Sequence, residues 1–171
     1  LAGRLRRIYM AKWTGTLPLY KGSGAAKFSL MRPKYGEPDQ NGNQRVAKNG
    51  AILLEVAKGV GKQDWDWSRK ISFAIGIPDI CKLFDNPDAP PKLVHKKEDQ
   101  DVSKSLQLLP GEGKYAGTWR LMVSQYGNEG RWPQDTESMS IMVPLTPGEF
   151  IVVQKLLIDA VPELLAWTNQ G

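Results

Sequence analysis

The sequence predicts an α+β fold built from two similar halves, each running four strands into a helix, a duplicated ββββα plan. Three observations predict it. Short segments alternate apolar and polar residues with period two, and Gly, Pro and Asn punctuate them. The strand-to-helix joins ISFAIGIPDI and MSIMVPLTPGEF fall at equivalent places in the two halves. The length, 171 residues, and the 41% apolar content suit one globular domain with its own core.

In the first half, Leu17 to Lys21 reads as a strand ending at the turn Gly22-Ser23-Gly24. In Ala25 to Arg32, Ala26, Phe28 and Leu30 share one face, and Lys27, Ser29 and Met31 the other. Pro33 to Asn43 reads as a loop. After Asn49-Gly50 comes the strand AILLEVAK, then a loop containing Gly59 and Gly61 that leads to Trp65-Asp66-Trp67. Arg69, Ile71, Phe73 and Ile75 alternate against Lys70, Ser72 and Ala74. Pro78 opens a short helix over Asp79 to Phe84.

Pro87 to Pro91 links the halves. Leu93 to Lys97, Val102 to Leu109, Thr118 to Tyr126 and Glu137 to Val143 read as strands. A helix follows from Pro147 to about Trp167, with Thr146 and Glu149 as a capping box and Pro162 set to kink its end. Its apolar residues, among them Phe150, Ile151, Val152, Leu157 and Ile158, surround most of its circumference. A helix covering only its own sheet needs a single apolar stripe, so contact with further subunits is expected.

The net charge of +5 is unevenly placed. Eight basic residues precede the first acid, Glu37, which leaves fifteen basic against eighteen acidic residues in the remainder. That asymmetry points to a polyanionic partner. The Arg-rich, acid-free start fits the remnant of an organellar presequence and places the chain in a mitochondrion or plastid. Residues 1–12 are read as a basic extension, 13–167 as the single domain and 168–171 as a tail. No apolar run is long enough to cross a bilayer, so no membrane partner is expected.

Catalysis finds no foothold, and no catalytic residue, metal site or cofactor is assigned. The one histidine, His95, sits in the lysine-rich strand LVHKK and reads as a surface or half-buried residue. The one cysteine, Cys81, reads as core. Asp64 and Asp66 lack a third carboxylate for a metal, and neither KGSGAAK nor GVGKQ has the ending of a phosphate-binding loop.

What remains is a basic surface. Lys21, Lys27, Arg32, Lys34, Lys48, Lys58, Lys62, Arg69 and Lys70 fall on outward strand positions, strand ends or adjoining loops, and are the candidate phosphate contacts. Tyr20, Tyr35, Trp65, Trp67, Tyr126 and Trp132 lie near in sequence and could stack unpaired bases, whereas Trp119 is assigned to the core. Trp65 and Trp67 flank a loop that one of them could anchor. A sheet suits an extended single strand.

LYKGSGAAKF, GAILLEVAKG, DWDWSRKISFAI and MVPLTPGEFIVVQKLL, in that order, resemble the Whirly family from about Trp13 to Trp167. DWSRK is the most specific piece. KGSGAA departs from the plant pattern KGKAA, and the chain resembles the kinetoplastid mitochondrial RNA-binding branch. The resemblance implies two four-stranded antiparallel sheets packed roughly perpendicular, with helices at the centre of a tetramer. It implies a partner that is a homologous subunit, in a heterotetramer of two related chains. It also implies binding of guide RNA along its backbone and annealing to messenger RNA in mitochondrial RNA editing. Lys21 and Asp66 to Lys70 match family motif positions; Asp66 is expected to orient Arg69 or cap a loop. The alternatives are a plant-like organellar single-stranded DNA-binding protein and a scaffold subunit without a nucleic-acid role.

Overall fold

The computed structural model describes residues 15–167 apart from 131 and 135. The extension over 1–12 and the tail over 168–171 lie outside the described residues. Two four-stranded antiparallel sheets make the body. The first orders β1 (Thr16–Tyr20), β2 (Gly24–Met31), β5 (Ala51–Gly61) and β6 (Asp64–Ile75), followed by α1 (Ile77–Asp85). The second is a meander of β7 (Leu93–Lys97), β8 (Val102–Pro110), β9 (Trp119–Tyr126) and β10 (Ser138–Leu145), followed by α2 (Pro147–Asp159) and α3 (Val161–Leu164). A two-stranded ribbon, β3 (Lys34–Tyr35) and β4 (Val46–Lys48), leaves the first sheet between β2 and β5.

The duplicated plan therefore holds, and register explains how it closes. In the first sheet Phe28 pairs with Leu54, and Leu54 with Phe73; Ala26, Val56 and Ile71 form the next inward row. In the second, Leu106, Val123 and Ile141 line up, as do Leu108, Leu121 and Val143. These residues are almost fully buried in one continuous core. Strand β10 packs against β2 and β5, and β6 against β8 and β9. Each buried leucine or phenylalanine contributes roughly 1.5–3 kcal/mol, so this layer dominates stability.

Several expectations are corrected. The loop expected around Gly59 and Gly61 is strand: β5 and β6 run on to a two-residue turn at Lys62-Gln63, where Gln63 has φ 58°. Hairpin pairing of Gly59 with Trp65 overrides the poor strand propensity of glycine there. The loop expected over Pro33 to Asn43 begins with the paired residues of β3, too short to show alternation. The last helix stops at Asp159, and a separate turn with Pro162 near its start replaces the continuation expected to Trp167. Cys81 is exposed, because the inward positions of α1 are taken by Ile80 and Leu83. Trp132 is buried in the core, so it offers no stacking surface.

The glycines of KGSG and AKG have a packing reason. The Gly59 amide donates to the Ser23 carbonyl at 3.1 Å. A Cβ at position 59 would stand 2.2 Å from the Gly22 carbonyl oxygen. That contact is backbone against backbone, so no side chain can move to relieve it. Gly59→Ala is expected to lower stability by about 1–3 kcal/mol, read as a lower urea midpoint; an unchanged midpoint would show that the turn yields freely.

Candidate nucleic-acid interface

All nine candidate cations lie on the first sheet or its connections, and the structure sorts them into distinct groups. Lys27 on β2 pairs across the ladder with Glu55 on β5, and Lys70 on β6 reaches the same carboxylate from the other side. The Lys27 Nζ lies 3.4 Å from Glu55 Oε2, and 5.9 Å from the centre of the Trp67 ring. Glu55 is buried. Burial alone would push its carboxyl up, but the Lys70 and Lys27 ammonium groups outweigh that and hold it below its ordinary value. The outer face thus carries two lysines held in place around one negative charge, and a phosphate has to compete with Glu55 for them.

The DWSRK stretch is an irregular bulge with its own cap. Between the pairs Val56–Ile71 and Lys58–Asp66 the ladder shifts, with more residues on β6 than on β5. Asp66 takes up the polar groups left over: its Oδ1 accepts from the Ser68 amide at 3.2 Å, the Arg69 amide at 3.3 Å and the Ser68 hydroxyl, and its Oδ2 from Arg69 Nε at 2.5 Å. The Ser68 hydroxyl, then Arg69, keep the Asp66 carboxyl below the usual range. Asp66 therefore both orients Arg69 and caps the bulge. Arg69 and Lys58 line a cleft beside Ser138 and Ser140 at the seam with the second sheet.

Lys21 stands apart. Its ammonium group lies 2.7 Å from Glu149 Oε1, and Glu149 Oε2 accepts from the Thr146 amide at 2.8 Å in the capping box of α2. Lys21 thus fastens the β1–β2 turn to the start of the long helix. Trp65 secures the same turn, donating from Nε1 to the Lys21 carbonyl at 2.8 Å, and its ring lies 4.7 Å from that of exposed Tyr20. Of Trp65 and Trp67, both on β6, Trp65 is the anchor, while Trp67 sits by Lys27.

Arg32, Lys34, Lys48, Lys58 and Lys62 are exposed, and among the described residues none has a carboxylate within 4.0 Å. Arg32, Lys34 and Lys48 gather on or beside the β3–β4 ribbon, and Lys62 lies at the β5–β6 turn.

Sequence reasoning missed the character of the second sheet. Ser105, Ser124 and Ser140 form one outward cross-strand row, with the Ser124 and Ser140 hydroxyls 2.6 Å apart. The alternation in VSKSLQLL and SMSIMV was the available signal. Lys104 points the other way: it lies 2.9 Å from Glu129 and donates to the Ser72 carbonyl at 3.0 Å, tying β8 to the edge strand of the first sheet. Trp119, expected in the core, is only partly buried: it packs against the core by stacking on Phe150 at 4.0 Å. His95 is half-buried, stacked on Phe73 at 4.2 Å and 3.1 Å from Asp79 Oδ2. Among the described residues no group of three or more His, Cys, Asp or Glu could hold a metal ion.

The Whirly transcription factor family model matches residues 19–156. The chloroplastic single-stranded DNA-binding protein WHY1 of Zea mays is 29% identical over 165 residues, which is 88% of this chain and 56% of that protein. The mitochondrial single-stranded DNA-binding protein WHY2 of Arabidopsis thaliana is 23% identical over 162 residues, covering 88% of this chain and 63% of that one. The chain thus spans little more than half the length of these relatives. The crystal structure of WHY1 from Arabidopsis thaliana superposes with a TM-score of 0.79 at 23% identity, covering 93% of this chain and 89% of that one. The two-sheet fold is the Whirly fold.

The pairing of Glu55 sets two expectations. Substituting Lys27 and Lys70 together by Gln strands a buried carboxylate and is expected to cost about 2 kcal/mol, after allowing for the partial exposure of both lysines. Adding Glu55→Gln should restore most of it. Because the folded carboxyl titrates below its ordinary 4.5, its stabilisation is complete above that pH and fades as pH falls through the folded value. Urea titrations should therefore show a smaller acid loss in Glu55→Gln than in the wild type; parallel curves would mean that the two lysines leave Glu55 unaided.

Proposed function

This chain belongs to the Whirly family, and we propose that it binds single-stranded nucleic acid along the phosphate backbone, without covalent chemistry, in an organelle. One observation carries the reading: the first sheet and its connections gather every candidate cation, five of them without an ion-pair partner among the described residues. Neutralising phosphates with such groups releases counterions, which supplies affinity without reading sequence. Trp67 and exposed Tyr20 add surfaces on which bases can stack. Lys27 and Lys70, held by Glu55, contribute less than unpaired lysines, and Lys21 contributes through the fold.

The names of the relatives favour DNA as the polymer. The second reading is guide-RNA binding and RNA annealing in mitochondrial editing. KGSGAA in place of KGKAA supports it. In that reading the screened strand meets its complement with less repulsion, and its outward bases are free to pair.

Assembly belongs to the same proposal. Helix α2 buries Phe150, Val153 and Leu157 and leaves Ile151 62%, Val152 50% and Ile158 50% exposed. An apolar groove of about 540 Å³, lined by Leu30, Ile52, Ile151 and Leu156, runs beside it. Apolar surface of this kind suits further Whirly-type subunits, in a tetramer with helices at its centre.

Fluorescence anisotropy with matched single-stranded DNA and RNA across a salt series tests the proposal. If each of the five unpaired cations neutralises one phosphate, the log–log salt slope is about −3.5. Tighter binding of DNA selects the first reading, and tighter binding of RNA the second. No binding of either at low salt, with or without a related subunit, would leave the scaffold alternative.

A further inference from the structure

The β3–β4 ribbon is built in a way that its own stability does not explain. It is two strands wide, and all five of its strand residues are exposed. A ribbon of that width is marginal in water. Its register makes matters worse, because Lys34 lies directly opposite Lys48, which puts two ammonium groups on the same side. Like charges in that position weaken an antiparallel pair. Neither lysine has a carboxylate within 4.0 Å among the described residues.

The ribbon's acids are elsewhere. Glu37 and Asp39 lie towards the tip, and Asp39 is engaged there, accepting from the Asn41 amide at 2.9 Å and the Asn43 amide at 2.8 Å. Arg45 stands near them, opposite Gly36, whereas Arg32, Lys34 and Lys48 lie at the root, away from these acids. The root itself is braced. The Gly50 amide donates to the Leu164 carbonyl at 2.8 Å, and Leu164 is fully buried. A Cβ on Gly50 would stand 2.5 Å from the Met31 carbonyl oxygen and 3.2 Å from Leu164 Cα. Helix α3 therefore fixes where the paired lysines stand, at the end of the β2–β5 ladder opposite the KGSG turn.

Resting on the nucleic-acid reading above, we propose that this ribbon is a phosphate clamp, in which a phosphodiester of the bound single strand seats between Lys34 and Lys48. An anion there turns the repulsive pair into two attractive contacts. Binding and ordering of the ribbon are then coupled: the ligand adds the stability that the lone ribbon lacks. The clamp also lengthens the basic track past the end of the β2–β5 ladder, so affinity should rise with strand length until the strand reaches it.

The test uses the full chain, a fluorescein-labelled oligothymidylate and the matching oligouridylate. K34E/K48E is expected to bind both polymers roughly tenfold more weakly at low salt, with a salt slope shallower by about 1.4. K34E alone places a carboxylate opposite Lys48. It should slow amide hydrogen exchange across the ribbon in the free protein, yet weaken binding. In the wild type, the same amides should gain protection when oligonucleotide is added. Wild-type affinity and slope in K34E/K48E, with the wild type itself binding well, would overturn the clamp and leave the sheet-face reading standing. Failure of the wild type to bind either polymer would overturn both.

Discussion

Burial of the two inward sheet faces against one another is the constraint from which the surface chemistry follows. Side chains alternate along a strand, so committing Phe28, Leu54 and Phe73 to the core commits Lys27 and Glu55 to the opposite face, where the two lysines cover the carboxylate. A slip of one residue would put Glu55 into the apolar layer and Leu54 into water. The register of the first sheet is therefore fixed by the core, and with it the positions of Lys27 and Glu55. Surface and stability are decided by one choice.

Two acids then shape what those lysines can do. Glu55 organises Lys27 and Lys70, and Asp66 organises Arg69 while capping the bulge of DWSRK. A carboxylate amid candidate phosphate contacts would weaken their pull on a polyanion, but it holds long side chains in one arrangement and so reduces the entropy that binding would cost. The unpaired cations at the ribbon and at the β5–β6 turn have the opposite character, with more charge to offer and more freedom to lose.

The halves share a plan and have diverged in surface. The first sheet and its connections carry the nine candidate cations, whereas the outer face of the second presents a serine row with Lys96 and Arg120. The helices diverge as well: α1 is a short amphipathic plug, whereas α2 keeps Ile151, Val152 and Ile158 in the open. One half suits a polyanion and the other carries the apolar helix that fits assembly. Lys21 and Glu149 tie the two together across the chain.

Much of the architecture was legible in the sequence. Alternation marked four of the eight sheet strands, apolar runs bounded by turn residues marked the others, and Thr146-Pro147 with Glu149 marked the start of α2. The ribbon strands escaped, because two or three residues carry no period. So did the paired residues around Gly59, where the hairpin partner decides and propensity does not. At the candidate site, the sequence by itself determined which residues carry charge and that Lys27 faces away from the core. Only the tertiary structure decided which cations are engaged. Lys21 meets a glutamate 128 positions away, Lys27 and Lys70 converge on Glu55, and Lys34 faces Lys48 with no acid between them. Local periodicity encodes the direction a side chain takes from its own strand; the group it meets there is set by register and by packing between distant segments.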